Sequence, residues 1–204
     1  MKIIGLTGGI ASGKSTVSKI LSDHYGYPIV DADRIAREVV AVGSDGLSQI
    51  ESVFGSEYMT KTGEMDRIKM GTLIRNDPNA KKKLEAITHP LIHDTVLQQF
   101  ENYRRSGSRV AIYDCPLLFE AKQTDLVDAV LLVCVDPDIR IRRLMARDQI
   151  SETIAKQKIA IQLSNREKQQ QAMALNIPLA TIDNSSDLDQ LEIEIQKALS
   201  KLDL

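Results

Sequence analysis

Lys2-Ile3-Ile4-Gly5-Leu6-Thr7 runs straight into Gly8-Gly9-Ile10-Ala11-Ser12-Gly13-Lys14-Ser15-Thr16, and that junction decides the fold. The first six residues are an apolar, strand-like run. The nine that follow spell Gly-x-x-x-x-Gly-Lys-Ser, and a segment of helical periodicity comes next. Val17, Ile20, Leu21 and His24 share a face of that expected helix, and Gly26 is its stop signal. Strand, glycine loop and helix in this order are the context a phosphate-binding P-loop requires. Gly8 and Gly13 are expected to take backbone dihedrals closed to residues with a Cβ, turning successive N–H groups inward. The helix N-terminus adds partial positive charge at the same spot. Lys14 is expected to reach the β- and γ-phosphates, and Ser15 to offer its hydroxyl to Mg²⁺. A nucleoside triphosphate is the expected ligand.

The rest of the chain bounds the kind of protein this is. Its 204 residues fit one sizeable domain, or one domain with inserted lobes. An apolar fraction of 43% is ample for a core, and a net charge of -2 offers no basic field to recruit nucleic acid. The apolar runs, such as Ala129 to Val135, are too short to cross a bilayer, and the P-loop strand starts at once, leaving no room for a signal peptide. Cys115 and Cys134 lie in strand-like runs and read as small buried residues of a reducing compartment. A cytoplasmic location is expected, with no nucleic-acid or membrane partner, and a monomer or weak homo-oligomer.

Short apolar runs alternate with helical segments, the pattern of an α/β protein with a parallel sheet covered on both faces. The expected strands are Ile3–Thr7, Pro28–Asp31, Val110–Asp114, Val130–Val135 and Leu179–Ile182. Leu188, Leu191, Ile195, Leu199 and Leu202 form the core stripe of a last helix. Between Asp33 and Gly107 no strand is convincing. Helices are expected at Leu47–Phe54, Arg67–Ile74, Asn79–Ile87 and Leu91–Tyr103, with Pro90 placing His89 at a helix start. This is too much helix for a crossover and reads as an inserted lobe, residues 33–107. A second interruption, 138–177, is rich in Arg, Lys and Gln and carries a capping box, Ser164-x-x-Glu167. The core is then 1–32, 108–137 and 178–204.

Several polar residues fall where a P-loop protein keeps its chemistry. Asp114 closes the third strand and is a candidate Mg²⁺-side carboxylate, or alternatively a turn aspartate. Asp31 and Asp33, at i and i+2 of an extended segment, are expected to point the same way at the P-loop edge of the sheet. One could accept a proton from an attacking hydroxyl; the alternative is an N-cap with a surface charge. Arg37 lies one turn further on and could hold an anionic substrate. His89 and His93 stand at i and i+4, but no third metal ligand is apparent; His93 is expected to be partly buried. Lys81-Lys82-Lys83 reads as a solvated helix face.

These elements, in this order, resemble the dephospho-coenzyme A kinases. The resemblance rests on the P-loop, Asp31-Ala32-Asp33 with Ala36-Arg37, Thr88-His89-Pro90-Leu91-Ile92 and Asp114-Cys115-Pro116-Leu117-Leu118-Phe119-Glu120. Arg143-Leu144-Met145-Ala146-Arg147 and Asp183-Asn184 complete it. It implies a fold like the nucleoside-monophosphate kinases: a P-loop-type three-layer α/β/α core with five parallel strands, a helical acceptor lobe and a lid. The implied activity is transfer of the γ-phosphoryl of ATP to the ribose 3′-hydroxyl of dephospho-coenzyme A, with Mg²⁺. By motif position, Asp33 is the general base, with Lys14 and Arg143 also catalytic. Gly8, Ala11, Ser12, Gly13, Lys14, Ser15, Thr16 and Arg147 bind ATP, and Ser15 and Asp114 serve the metal. Asp31, Arg37, His89, Leu117 and Phe119 fall on the acceptor side. Of the lid arginines, Arg140 has the weakest motif support, and a solvated helix face is the alternative for all three.

The chain also departs from that pattern. Lys158-Ile159 stands where Arg-Ile is usual, Pro178-Leu179 where Ala-Asp is, and Arg75 where a Phe is; a short insertion falls around Gln169–Asn176. Another small-molecule kinase of the same architecture, or a nucleotide switch, are the competing readings. No Asn-Lys-x-Asp supports a GTPase, and the glycine spacing excludes a Rossmann dehydrogenase.

Overall fold

The computed structural model describes residues 1–204. Five strands alternate with helices along the chain: β1 (Lys2–Gly8), α1 (Lys14–Asp23), β2 (Ile29–Asp31), α2 (Ala32–Glu38), α3 (Asp45–Phe54), α4 (Arg67–Asn76) and α5 (Pro78–Arg105) come first. β3 (Val110–Asp114), β4 (Ala129–Cys134), α6 (Pro137–Asp148), α7 (Glu152–Ala160), α8 (Asn165–Ala174), β5 (Leu179–Asp183) and α9 (Leu188–Lys201) follow. The strands lie in the order β2-β3-β1-β4-β5, with β1 parallel to β3 and β4, and β4 parallel to β5. The expected strands and their parallel three-layer arrangement are therefore present.

Alternation within the strands explains the layers. Ile4 and Leu6 of β1, Ile112, Leu131, Val133 and Ile182 are buried on one face, together with Val17 and Leu21 of α1 and Leu191, Ile195 and Leu199 of α9. Each such aliphatic side chain removed from water contributes ~1.5–3 kcal/mol. On the other face Gly5 leaves room for Leu118, whose Cδ2 would lie 2.7 Å from an added Cβ. The stripe of α9 begins at Leu191, three residues later than the periodicity suggests, because Leu188 is exposed. His24 likewise leaves the buried face of α1: it is exposed and pairs with Glu192 at 3.3 Å.

The chain forms two compact units, Met1–Val30 with Tyr103–Leu204, and Asp31–Asn102. The second unit is all helical apart from one isolated bridge, Met59 to Met65. Its core centres on Val40, Ile50 and Met70. Three expectations about it change. Asn79–Ile87 and Leu91–Tyr103 are one helix, α5, with Pro90 inside it. Pro90 removes a single N–H from the ladder, and a helix this long supplies enough other bonds to run through. His89 therefore sits in a helix interior, and both it and His93 are exposed. Asp31 and Asp33 do not share an extended segment either. The strand ends at Asp31, whose carboxylate caps α2 by accepting the Arg34 N–H at 2.9 Å, and Asp33 belongs to the first helical turn.

Candidate active site

The P-loop joins β1 to α1 as expected, but its conformation is distributed differently. Gly13 takes the left-handed region, φ 82°, as the N-cap of α1; Gly8 does not, and Ala11 does, at φ 61°. Gly8 is needed for space instead: a Cβ there would lie 2.9 Å from the Val133 carbonyl oxygen and 2.7 Å from Ser12 Oγ. Gly13 caps α1 without a side-chain bond, and no acceptor inside the protein meets the N–H groups of Lys14 or Ser15. Ser12 Oγ is buried with no hydrogen-bond partner. Open amides at a helix N-terminus beside an orphaned buried hydroxyl fit a polyphosphate.

Lys14 and Asp114 meet. The Lys14 ammonium is paired with the Asp114 carboxylate at the end of β3, and both are largely buried. β3 lies beside β1, with Leu6 opposite Asp114, so the sheet itself delivers the carboxylate to the loop. Ser15 is exposed at the head of α1. The Ser15 hydroxyl and Asp114 carboxylate are hard oxygen donors, the chemistry Mg²⁺ selects.

Asn184, just past β5, is buried and donates from Nδ2 to the Ser12 carbonyl at 2.8 Å. Its own carbonyl accepts from Arg143 Nη1 at 3.0 Å, which draws α6 to the same spot. A cavity of about 370 Å³ opens there, lined by Gly13, Thr16, Arg143, Asn184 and Ser186. Arg147 lies elsewhere: it is exposed, with Nε donating to Asp148 at 2.8 Å. Asp148 also accepts from Lys158 at 2.8 Å, and these two bonds hold its carboxyl down to about 2. Lys158 thus ties α7 to the end of α6.

Arg140 has the closer contact with the loop. Its Nε donates to the Ile10 carbonyl at 2.9 Å, and an added Cβ on Gly9 would overlap its Nη2. Burial of this guanidinium lowers its pKa. Gln162, in the turn between α7 and α8, accepts from the Ile10 N–H at 2.7 Å and from Arg140 Nη2 at 3.2 Å. The neighbouring Leu163 N–H donates to Glu120 Oε1 at 3.1 Å. Glu120 in turn pairs at 3.0 Å with Lys168, which is fully buried and donates to the Pro116 carbonyl at 3.3 Å. Thr7 Oγ1 shares that carbonyl at 2.9 Å. Gln162 and Lys168 were not among the expected site residues. A lone Gln and a lone Lys in a polar stretch carry no periodicity or motif, and the capping box at Ser164, which is present, was the one local signal that the turn is built.

On the acceptor-side positions, Leu117 is exposed whereas Phe119 is buried. In the helical unit, Arg37 faces a cavity of about 440 Å³ together with Val40, Val42, Met65, Arg67 and Ile68. Glu64 and Asp66 line it too, with the Asp66 carboxylate engaged in capping α4, so the wall carries both charges beside its apolar side chains.

The model of the family described as dephospho-CoA kinase matches residues 2–190. The chain belongs to that family. It is 43% identical to the dephospho-CoA kinase of Geobacter sulfurreducens, over 98% of each chain. Among solved structures, a Thermus thermophilus protein superposes with a TM-score of 0.79 at 29% identity, covering 98% of this chain and 97% of its own. The dephospho-CoA kinase of Campylobacter jejuni superposes at 0.69 with 25% identity, over 99% and 98%. No helix is long and apolar enough to cross a membrane.

Proposed function

We propose that this chain transfers the γ-phosphoryl of ATP to the ribose 3′-hydroxyl of dephospho-coenzyme A, yielding coenzyme A and ADP, the last step of coenzyme A synthesis. Membership of the dephospho-CoA kinase family along nearly the whole chain carries this reading. The open amides at the head of α1 and the paired Lys14 and Asp114 support its nucleotide half.

Phosphoryl transfer asks a protein for positioning and charge neutralisation more than for covalent chemistry. The Gly13, Lys14 and Ser15 amides cradle the phosphates. Arrival of the triphosphate gives Lys14 a new partner and releases the Asp114 carboxylate. Ser15 and Asp114 would hold Mg²⁺, which when bound neutralises charge on the phosphate oxygens. The cavity lined by Gly13, Thr16, Arg143 and Asn184 is proposed for the nucleoside. Arg140 supplies positive charge over Gly9 and Ile10, and with α7 and α8 it shields the loop from water, which suppresses wasteful hydrolysis. On the helical unit, Asp33 is the proposed base that takes the proton of the attacking ribose hydroxyl as the new P–O bond forms. Arg37 is proposed to hold the acceptor's diphosphate, with the adjoining apolar side chains against its aliphatic arm. Asp31 and His89 are proposed to assist on the acceptor side. We place the enzyme in the cytoplasm.

ADP release from ATP and Mg²⁺ tests the proposal, with dephospho-coenzyme A compared against adenosine, AMP and gluconate. Release that depends strongly on the first alone is expected. Equal or greater release with any of the others would overturn the acceptor.

A further inference from the structure

Gln162 makes two bonds with one oxygen, and both partners belong to the P-loop side of the site. Its Oε1 accepts the Ile10 N–H at 2.7 Å and an Arg140 Nη2 proton at 3.2 Å. Arg140 also donates from Nε to the Ile10 carbonyl at 2.9 Å. The guanidinium is thereby fixed at two points, directly on the Ile10 carbonyl and through Gln162 on the Ile10 N–H. Its remaining protons stay available to an anion, since guanidinium has five N–H donors in a rigid fork. Without the Gln162 oxygen, one of those two points is lost and the long side chain regains rotamer freedom.

The turn that carries Gln162 is itself held. Leu163, the next residue, donates to Glu120, and Glu120 is locked by the buried Lys168, which also grips the Pro116 carbonyl. A buried ion pair of this kind is costly to form and is retained here at a place where it sets the register of one turn against a strand end.

We propose that Gln162 is a positioning residue for the triphosphate: it orients Arg140 over Gly9–Ile10, and the Glu120–Lys168 pair sets the turn from which it does so. This rests on the kinase reading for its ligand, an ATP triphosphate, but not for its acceptor.

The test uses the full chain and ATP with Mg²⁺, without any acceptor. Gln162→Ala is expected to weaken ATP binding about tenfold, the scale of one charge-assisted bond. Arg140→Ala should weaken it at least as much, and the double variant no more than Arg140→Ala alone, because Gln162 acts through that guanidinium. Gln162→Glu keeps the accepting oxygen but neutralises Arg140, so its affinity should fall below that of Gln162→Ala. A purely structural hydrogen bond would instead let the losses of Gln162→Ala and Arg140→Ala multiply in the double variant. The Ile10 amide gives a readout free of ligand. In nucleotide-free protein its hydrogen exchange should quicken at least tenfold in Gln162→Ala and stay slow in Gln162→Glu. Parent-like affinity in Gln162→Ala, or losses that multiply in the double variant, would overturn the proposal. Coupling observed in a chain that phosphorylates some other alcohol would overturn the acceptor assignment and leave Gln162 in its role.

Discussion

Asp33 and Cys134 show how much a single side chain's setting decides. Asp33 is exposed in the first turn of α2, and Asp31 takes the capping duty, so the Asp33 carboxylate is spared for chemistry. Asp33→Asn is expected to lower turnover about a hundredfold or more, the scale of general-base loss, with ATP affinity nearly unchanged. Steady-state rates beside a binding isotherm check it, and near-parent turnover would remove Asp33 from the reaction. Cys134 is the opposite case, a nucleophile kept quiet. Burial, and next the Asp183 carboxylate, push its thiol up to about 11 from 9.0. At pH 8 its thiolate fraction is then about a hundredfold below that of an unfolded cysteine, since reactivity follows the thiolate. Iodoacetamide should label the native protein at Cys134 slower by about that factor than the denatured chain. The sign for folding follows: between pH 9 and about 11 the unfolded thiol has lost its proton while the native one keeps it, so stability falls as pH rises through that window. Cys134 was expected to be a small buried residue from its strand-like run alone, and it is half-buried with its Sγ turned to the Leu132 carbonyl at 3.7 Å.

At the scale of elements, what the sequence made legible was local. The P-loop, the five strands and the Ser164 capping box all arise from short spacings, and each stands within a residue or so of its expected place. What it hid was decided by length and by distant partners. Pro90 reads as a helix boundary, yet α5 passes through it because one missing N–H cannot end a helix whose other turns are sound. Gly8 was expected to supply a special dihedral and does not; it is needed because Val133, on a strand far away in sequence, leaves no room for a Cβ there. Arg140 is held over the loop by the Ile10 carbonyl and by Gln162, both far from it in sequence. The same holds for Lys168, an ordinary lysine of α8 until Glu120 is found beside it. Lys168→Ala leaves the Glu120 carboxylate without its buried counter-charge and opens a void, which should cost about 3 kcal/mol. Urea unfolding of this variant beside Lys168→Arg checks it. Arginine should recover a good part of the loss, and a Lys168→Ala protein as stable as its parent would show that the pair does not hold α8 to the Pro116 turn.

For the whole molecule, the two units are unequally built. The unit with the sheet buries Ile4, Leu6, Leu21, Leu131, Val133, Ile182 and Ile195 completely and has every inner strand paired on both sides. The helical unit centres on Val40, Ile50 and Met70, and it carries Val42 and Ile68 exposed around its cavity. Local opening free energy follows buried apolar contact and shielded backbone bonds, so it should differ between them. A less stable helical unit also suits the acceptor role proposed for it, since an element that must rearrange around a ligand is drawn from the low end of that scale. Native-state hydrogen exchange read by mass spectrometry tests this without any ligand. Peptides covering α3 and α4 are expected to exchange at least a hundredfold faster than those covering β1 and β4, a difference of about 2.7 kcal/mol in opening free energy. ATP at a hundred times its dissociation constant adds about 2.7 kcal/mol to states that retain the binding site. Because the open amides belong to the sheet-bearing unit, the added protection should appear there first, in α1 and around Asn184. Equal protection of α3 and β1 in the absence of nucleotide would mean that the chain opens only as a single cooperative body, and the division into a firm sheet and a softer helical unit would fall.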